Sequence, residues 1–429
     1  MGRRIDKVMK MYKNHGLEGL ITFARYFVSY KIENGINDNS YIYKNKYAAA
    51  SAEFSKIFIQ EKYEAIVVFD SRLGWNIPLF QRPQHMFNEL SKKGILIIYR
   101  SNRHFDKDVK LIEKQNSLLY VVDLGARAVV DALFDNLDKV HCPKILSLYS
   151  TDIFLTPEDI YVKYTSKGFK IVYEYIDELS HEISGFLPKS IYQRHNEILR
   201  DSKNTIILTS ADKLYEEVKV VRGTEKLAMA TNGVMYDHWT EFYSREKAPE
   251  KIKEILNKGN RVIGYYGAFA KWFDYDLIKK LSKERPNYEI VLIGFVYDKS
   301  MKESKIEKLP NVHYLGIVNY KDLASYAYWL DVMTIPFLLN DITESTSPVK
   351  LFEYMALNKP IVTTDMRECR KYKSVMIAKS HDEFIELLDK ALKLEKNDPY
   401  FELLEKEALE NTWEKKAKVF HDEVVKHFL

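Results

Sequence analysis

Ser345-Thr-Ser-Pro-Val-Lys-Leu-Phe-Glu-Tyr-Met-Ala-Leu-Asn-Lys-Pro-Ile-Val362 reads as loop, short helix, turn and strand. Ser347 suits an N-cap, and Pro348 suits the first helical position, where its missing N–H is not needed. Asn358 followed by Pro360 stops the helix, because Asn tolerates the left-handed cap and Pro cannot continue. Leu351, Phe352, Met355 and Ala356 recur at helical spacing on one face, with Lys350 and Glu353 on the other side. A lysine in the first turn adds positive charge where the helix dipole is already positive. An anion in front of the helix would justify it. The Ser-Thr-Ser loop, the open N–H groups and Lys350 together make a phosphate cradle. Glu353, one turn on, could then accept hydrogen bonds from sugar hydroxyls. A solvated Lys–Glu pair on an amphipathic helix gives the same pattern.

On either side of this stretch, apolar runs of strand length alternate with helical segments. In the second half the strands are expected over 261–266, 288–293, 312–315 and 332–336, with Gly267, Gly294 and Gly316 just past three of them. In the first half they are expected over 63–70, 95–99, 118–122, 144–149, 170–175, 205–208 and 226–230. This alternation is the pattern of a doubly wound parallel sheet, repeated once. A polar stretch over 237–258 separates the repeats. The division expected is a helical N-terminal extension (1–58), a first Rossmann-like domain (59–240), a second (241–410) and a C-terminal helix (411–429) that could cross back to the first.

A chain of 429 residues exceeds what one core supports, which also favours two domains. Lys and Arg number 65 against 61 Asp and Glu, so nothing in the charge calls for a nucleic-acid partner. Cys142 and Cys369 stand in unrelated contexts, which favours a reduced, cytoplasmic setting. No apolar run reaches about 18 residues, so no transmembrane helix is expected. Arg3, Arg4, Lys7, Lys10 and Lys13 precede Leu17, Leu20, Ile21, Phe23, Phe27 and Val28. That is a basic amphipathic arm for an anionic membrane surface, or a surface helix docked on the first domain. P-loop, HExxH and zinc-type Cys/His patterns are lacking from the sequence.

Several pieces in fixed order resemble the GT-B glycosyltransferases, and best the retaining group 1 or family 4 type. They are Tyr265-Tyr-Gly-Ala268, Ile290-Val-Leu-Ile-Gly294, Leu309-Pro-Asn-Val-His-Tyr-Leu-Gly316, Asp331-Val-Met-Thr-Ile-Pro336, Ser347 to Ala356 with Lys359-Pro-Ile-Val362, and Trp413-Glu-Lys-Lys. In the first half, Arg82-Pro-Gln84, Tyr175-Ile-Asp-Glu-Leu179, Thr209-Ser210 and Asn232-Gly233 look like a bacterial surface-polysaccharide branch.

The resemblance implies two Rossmann-like domains facing across a cleft, with a nucleotide-diphosphate sugar held mainly by the second. Glu353 matches the glutamate that binds the nucleotide ribose. Lys350 and the helix start at Ser347, Pro348 and Val349 would face the pyrophosphate, Gly267 and Gly294 would approach the donor, and Val318 would flank the base. Lys271 is the candidate for a lysine after the first strand of the second domain. The family's other glutamate lies eight positions earlier, where this chain has Ser345, with Glu344 one residue off.

On the acceptor side the candidates are Trp75, Arg82, Gln84 and His85, in the first strand-to-helix loop. Asp177 is the candidate to orient the acceptor or act as base. The implied activity is transfer to a glycan or lipid-linked acceptor at the inner membrane face, retaining, with no metal and no cofactor beyond the donor. Other readings are a metal-dependent GT-A enzyme using Asp274-Tyr-Asp276 or Asp106-Lys-Asp108, a non-catalytic nucleotide-sugar-binding subunit, or an epimerase of the same fold.

Overall fold

The apolar strand segments assemble into two separate sheets. A computed structural model describes residues 40–77, 80–155, 159–179, 187, 189–241 and 247–429; the basic arm lies outside them. The first sheet contains β1 (Ala65–Phe69), β2 (Ile95–Arg100), β3 (Ile112–Lys114), β4 (Leu119–Val122), β5 (Lys144–Tyr149), β6 (Lys170–Tyr175), β7 (Thr205–Thr209) and β8 (Leu227–Met229). Their order is β3-β4-β2-β1-β5-β6-β7-β8, parallel except for β3, which runs antiparallel to β4 at the edge. The second sheet contains β9 (Arg261–Tyr266), β10 (Tyr288–Ile293), β11 (Val312–Tyr314), β12 (Val332–Ile335), β13 (Ile361–Thr364) and β14 (Val375–Ala378). It is parallel throughout, in the order β11-β10-β9-β12-β13-β14.

Strands β1, β2 and β4 are buried along their whole length, as a sheet covered on both faces requires. In the second sheet β9 pairs with β10 on one side and β12 on the other, so the winding reverses there. The crevice beyond the carboxyl ends of such strands is where doubly wound sheets take ligands.

Six helices matter below: α1 (Tyr41–Gln60), α2 (Arg82–Lys92), α3 (Arg127–Leu137), α4 (Tyr320–Ala327), α5 (Val349–Ala356) and α6 (Trp413–Phe428). Helix α1 packs on α3, with Tyr43 and Tyr47 donating to Asp131 and Asp135 at 2.7 and 2.6 Å. Helix α6 packs on α2. Its Trp413, Ala417, Phe420 and Val424 complete the apolar core over β1 and β2 of the first domain. The chain is pinned just ahead of it, where the Val234 N–H donates to the Asn411 carbonyl and the Trp413 N–H donates to the Val234 carbonyl. No helix among the described residues is long and apolar enough to cross a membrane.

Two local expectations are corrected. Helix α5 starts one residue later than its sequence signals suggest: Pro348 is the N-cap, and no side chain caps the helix. Arg82, Gln84 and His85 lie in the first turn of α2 rather than in a loop, because Gln81 and Gln84 close a capping box with Pro83 in the first turn. The stop signal is as read, with Asn358 at φ 54° just beyond α5.

Candidate active site

The start of α5 stands at the carboxyl end of β9. The backbone N–H groups of Val349 and Lys350 donate to nothing among the described residues, so two donors point off the helix start. The serines ahead of them are not the cradle their spacing suggests. Ser345 Oγ donates back to the Asp341 and Ile342 carbonyls, and Thr346 Oγ1 to that of Ile342. Of the three, only Ser347 keeps a hydroxyl without a partner among the described residues, while its carbonyl accepts a 2.7 Å bond from Asn232 Nδ2.

The Lys350 side chain folds over Gly267. A Cβ on that glycine would stand 2.2 Å from Lys350 Cε and 2.8 Å from the Tyr265 hydroxyl, and its φ of +146° also favours glycine. The same holds at Gly294, φ +143°, whose Cβ would meet the Gly267 carbonyl at 1.8 Å. Lys350 Nζ lies 5.3 Å from the Phe337 ring centroid and 5.7 Å from that of Tyr265. It has no hydrogen bond or ion pair among the described residues and keeps contact with solvent. Crowding by protein pulls its pKa down to about 8, against the pull of Glu353.

Glu353, one turn further along α5, is buried at 6% exposure. Burial pushes its pKa up to about 7, while the Tyr266 hydroxyl, donating to Oε2 at 2.9 Å, and Lys350 favour the charged form. A helix start, a lysine and a carboxylate are thus gathered within one turn, each short of partners. Such a set can take a diphosphate at one end and hydroxyls at the other.

The remaining candidates are more scattered. Val318 is half-buried in the loop after β11. Lys271 is exposed in the loop after β9, its backbone N–H on Asp298. Asp177 lies two residues past β6, half-buried; its carbonyl accepts from Ser150 Oγ, and its carboxylate has no partner among the described residues. Burial raises the Asp177 pKa, and Arg82 lowers it.

All four acceptor candidates are committed inside the protein. Gln84 is fully buried and donates to the Gly74 carbonyl. His85 stacks on Trp413 at 5.1 Å and 7°, edge-on to Tyr320 and Phe80. Arg82, at 4% exposure, pairs with the fully buried Glu174 at 2.8 Å and donates to the Thr231 carbonyl and Asn232 Oδ1. Trp75 is also largely buried, edge-on to Tyr99 and Phe80.

Three of the four aspartates in the two Asp-x-Asp pairs have structural employment. Asp274 caps its helix at Leu277 and meets His381, and Asp276 pairs with Lys279. Asp106 accepts three backbone N–H bonds, from Trp75, Asn76 and Asn102. Among the described residues no group of three or more His, Cys, Asp or Glu side chains is placed to hold a metal ion.

Residues 260–396, which hold α5 and β9 to β14, match the family described as "Glycosyl transferases group 1". Over 84% of its length the chain superposes on Anabaena Alr3699/HepE, solved in complex with UDP-glucose, with a TM-score of 0.61 at 12% identity, covering 99% of that chain. The chain has the GT-B fold and is related to the group 1 glycosyltransferases. A second GT-B likeness is to WaaG, a glycosyltransferase involved in lipopolysaccharide biosynthesis, with a TM-score of 0.54 at 15% identity over 84% of this chain and 99% of that one. In sequence, a Bacillus subtilis (strain 168) protein provisionally named the teichuronic acid biosynthesis glycosyltransferase TuaH is 26% identical over 195 residues, 45% of this chain. The match spans 48% of that relative, about half its length.

Sequence reasoning passed over Tyr266 and Asn232 as site residues. Tyr266 closes β9 immediately before Gly267, and that adjacency was the available signal. Asn232 stands 115 residues before the Ser347 it binds, and no local pattern announces such a bond.

Proposed function

We propose that this protein moves a sugar from a nucleoside-diphosphate sugar to a glycan or lipid-linked acceptor of a surface polysaccharide, with retention and without a metal ion. One observation carries the reading: the Lys350 ammonium, unpaired among the described residues, lies against Gly267 beside the two open N–H groups of α5, with Glu353 one turn on. The group 1 match over the same residues and the polysaccharide names of the relatives support it.

In this reading the bond between the anomeric carbon and the diphosphate oxygen breaks as the bond to an acceptor hydroxyl forms. Negative charge grows on the leaving diphosphate, where fixed N–H dipoles and a lysine lower the barrier. The acceptor proton passes to the departing phosphate or to Asp177, whose carboxylate is free among the described residues and inclined by burial to take it. Gly294 and Val318 line the donor side, and exposed Lys271 adds charge at its mouth. Trp75, Arg82, Gln84 and His85 stand on the acceptor side, where their buried contacts shape the wall that the acceptor meets. The basic arm, Arg3 to Lys13, attaches the protein to the inner membrane face.

A second reading, a nucleotide-sugar-binding subunit without transfer activity, is favoured by Ser345, whose hydroxyl is turned onto backbone carbonyls where a sugar-binding carboxylate would stand. Thermal shift against UDP- and GDP-sugars, followed by donor hydrolysis, separates the two. A cognate donor raises Tm by mass action. Turnover lost in Lys350→Ala, with the fold intact, supports the transferase; binding with no turnover under any acceptor supports the subunit.

A further inference from the structure

Glu353 has one oxygen already taken. The Tyr266 hydroxyl holds Oε2, while Oε1 makes no hydrogen bond among the described residues and stays in contact with solvent. The Tyr266 ring is itself fixed. Trp239 lies flat on it at 5.5 Å and 5°, and Tyr354 meets it edge-on at 4.9 Å and 88°. Its backbone N–H also donates to the Tyr354 hydroxyl at 3.4 Å. Trp239 comes from the short helix Tyr236–Thr240 that follows β8, and its indole N–H reaches the Tyr320 hydroxyl on α4 at 3.3 Å.

We propose that Tyr266 is a positioning residue for donor binding: by occupying Glu353 Oε2 it presents Oε1 as a single, fixed acceptor for the ribose hydroxyls. The proposal rests on the donor reading given above. A carboxylate held at one oxygen loses less rotamer freedom when a ligand arrives at the other, and the phenol donor favours its ionised, accepting form.

The titratable groups facing Glu353 are Lys350 and Tyr354 from its own helix, Tyr266 from β9 and Tyr320 from α4. Burial pushes all three phenols upward, so Lys350 is the charged neighbour at neutral pH. With Glu353 near 7, hydroxyl binding strengthens as pH rises through that value. Removing the phenol donor raises the carboxyl further, and the acid limb of binding moves to higher pH. A Tyr266 that merely packs would weaken binding by one factor at every pH.

The test is titration calorimetry of UDP, or GDP if UDP does not bind, on the full chain from pH 6 to 9. Wild type, Tyr266→Phe and Glu353→Gln are compared, the nucleotide's own titration being common to all three. The expected result is an acid limb in wild type beyond the nucleotide's own, and that excess is absent in Glu353→Gln. In Tyr266→Phe it is displaced upward, with affinity about 3–10-fold weaker at pH 7 and the deficit shrinking as pH rises. An unshifted limb, or one constant factor across the range, overturns the positioning role while the donor reading stands. If the wild type binds neither nucleotide, or Glu353→Gln keeps the full wild-type acid limb, the donor reading falls and this proposal with it.

Discussion

Asn232, at the end of the first sheet, donates its side-chain amide to the Ser347 carbonyl ahead of α5 at 2.7 Å. Its Oδ1 accepts from Arg82, which is paired with Glu174. A buried ion pair of one domain is therefore tied, through one asparagine, to the candidate donor site of the other. Four consequences of this architecture can be measured.

Arg82→Ala leaves Glu174, which has no exposure, without its cation. Breaking such a pair costs about 3–5 kcal/mol, because the remaining charge stays buried. Urea unfolding should show the loss, and Arg82→Lys should recover only part of it, lacking the planar fork that reaches Glu174, Thr231 and Asn232 together. Wild-type stability combined with a raised acceptor KM would instead give Arg82 a direct place at the acceptor.

Gly267→Ala meets two obstacles: φ +146° and the Lys350 and Tyr265 side chains at 2.2 and 2.8 Å. Backbone strain of this kind costs about 1–3 kcal/mol. Because the lysine must move to relieve the contact, nucleotide affinity should fall by about tenfold or more. Unaltered UDP binding in a folded Gly267→Ala protein would separate Lys350 from the diphosphate.

Glu353→Gln should stabilise the unliganded protein while weakening nucleotide binding. The folded-state pKa of about 7 lies above the ordinary carboxylate value, so the charged form costs stability. That cost is full above pH 7 and vanishes as pH falls below the unfolded value. At pH 8 the neutral amide should gain about 1–3 kcal/mol, read by denaturant unfolding. A destabilised Glu353→Gln protein would mean the charge is well solvated or paired.

His85, between Trp413 and Tyr320, is pulled down to about 3 by burial and by His238. The unfolded chain takes up a proton below about 6.5 and the folded chain does not, so this group's contribution to stability is lost as pH falls. His85→Gln should be less stable than wild type at pH 7 through lost stacking. The gap should close by about 1.4 kcal/mol per pH unit below 6.5. A gap independent of pH would show that the imidazole protonates in place.

What the sequence disclosed follows from how locally each feature is encoded. Strands such as Lys144–Tyr149 and Tyr288–Ile293 are buried in parallel sheets, so their apolar runs are continuous and their limits clear. Strand β3, Ile-Glu-Lys at an edge, has no such run and escaped notice. The α5 signals located the helix and its stop, but Pro348 took the cap from Ser347, and Ser345 and Thr346 turned their hydroxyls to the preceding turn. The Asp274 cap is local and legible from its place just ahead of the helix it caps, whereas two of the backbone partners of Asp106, Trp75 and Asn76, stand 31 and 30 residues before it and leave no sign in its spacing. The contacts between His85, Trp413 and Tyr320 join three distant segments, and spacing along the chain carries no trace of them.

The most direct measurement is a crystal structure of the full chain soaked with UDP or GDP. The expected result is a diphosphate within hydrogen-bond reach of the Val349 and Lys350 N–H groups and Lys350 Nζ, with the ribose on Glu353 Oε1. A nucleotide bound elsewhere, with the α5 start still empty, would contradict the account.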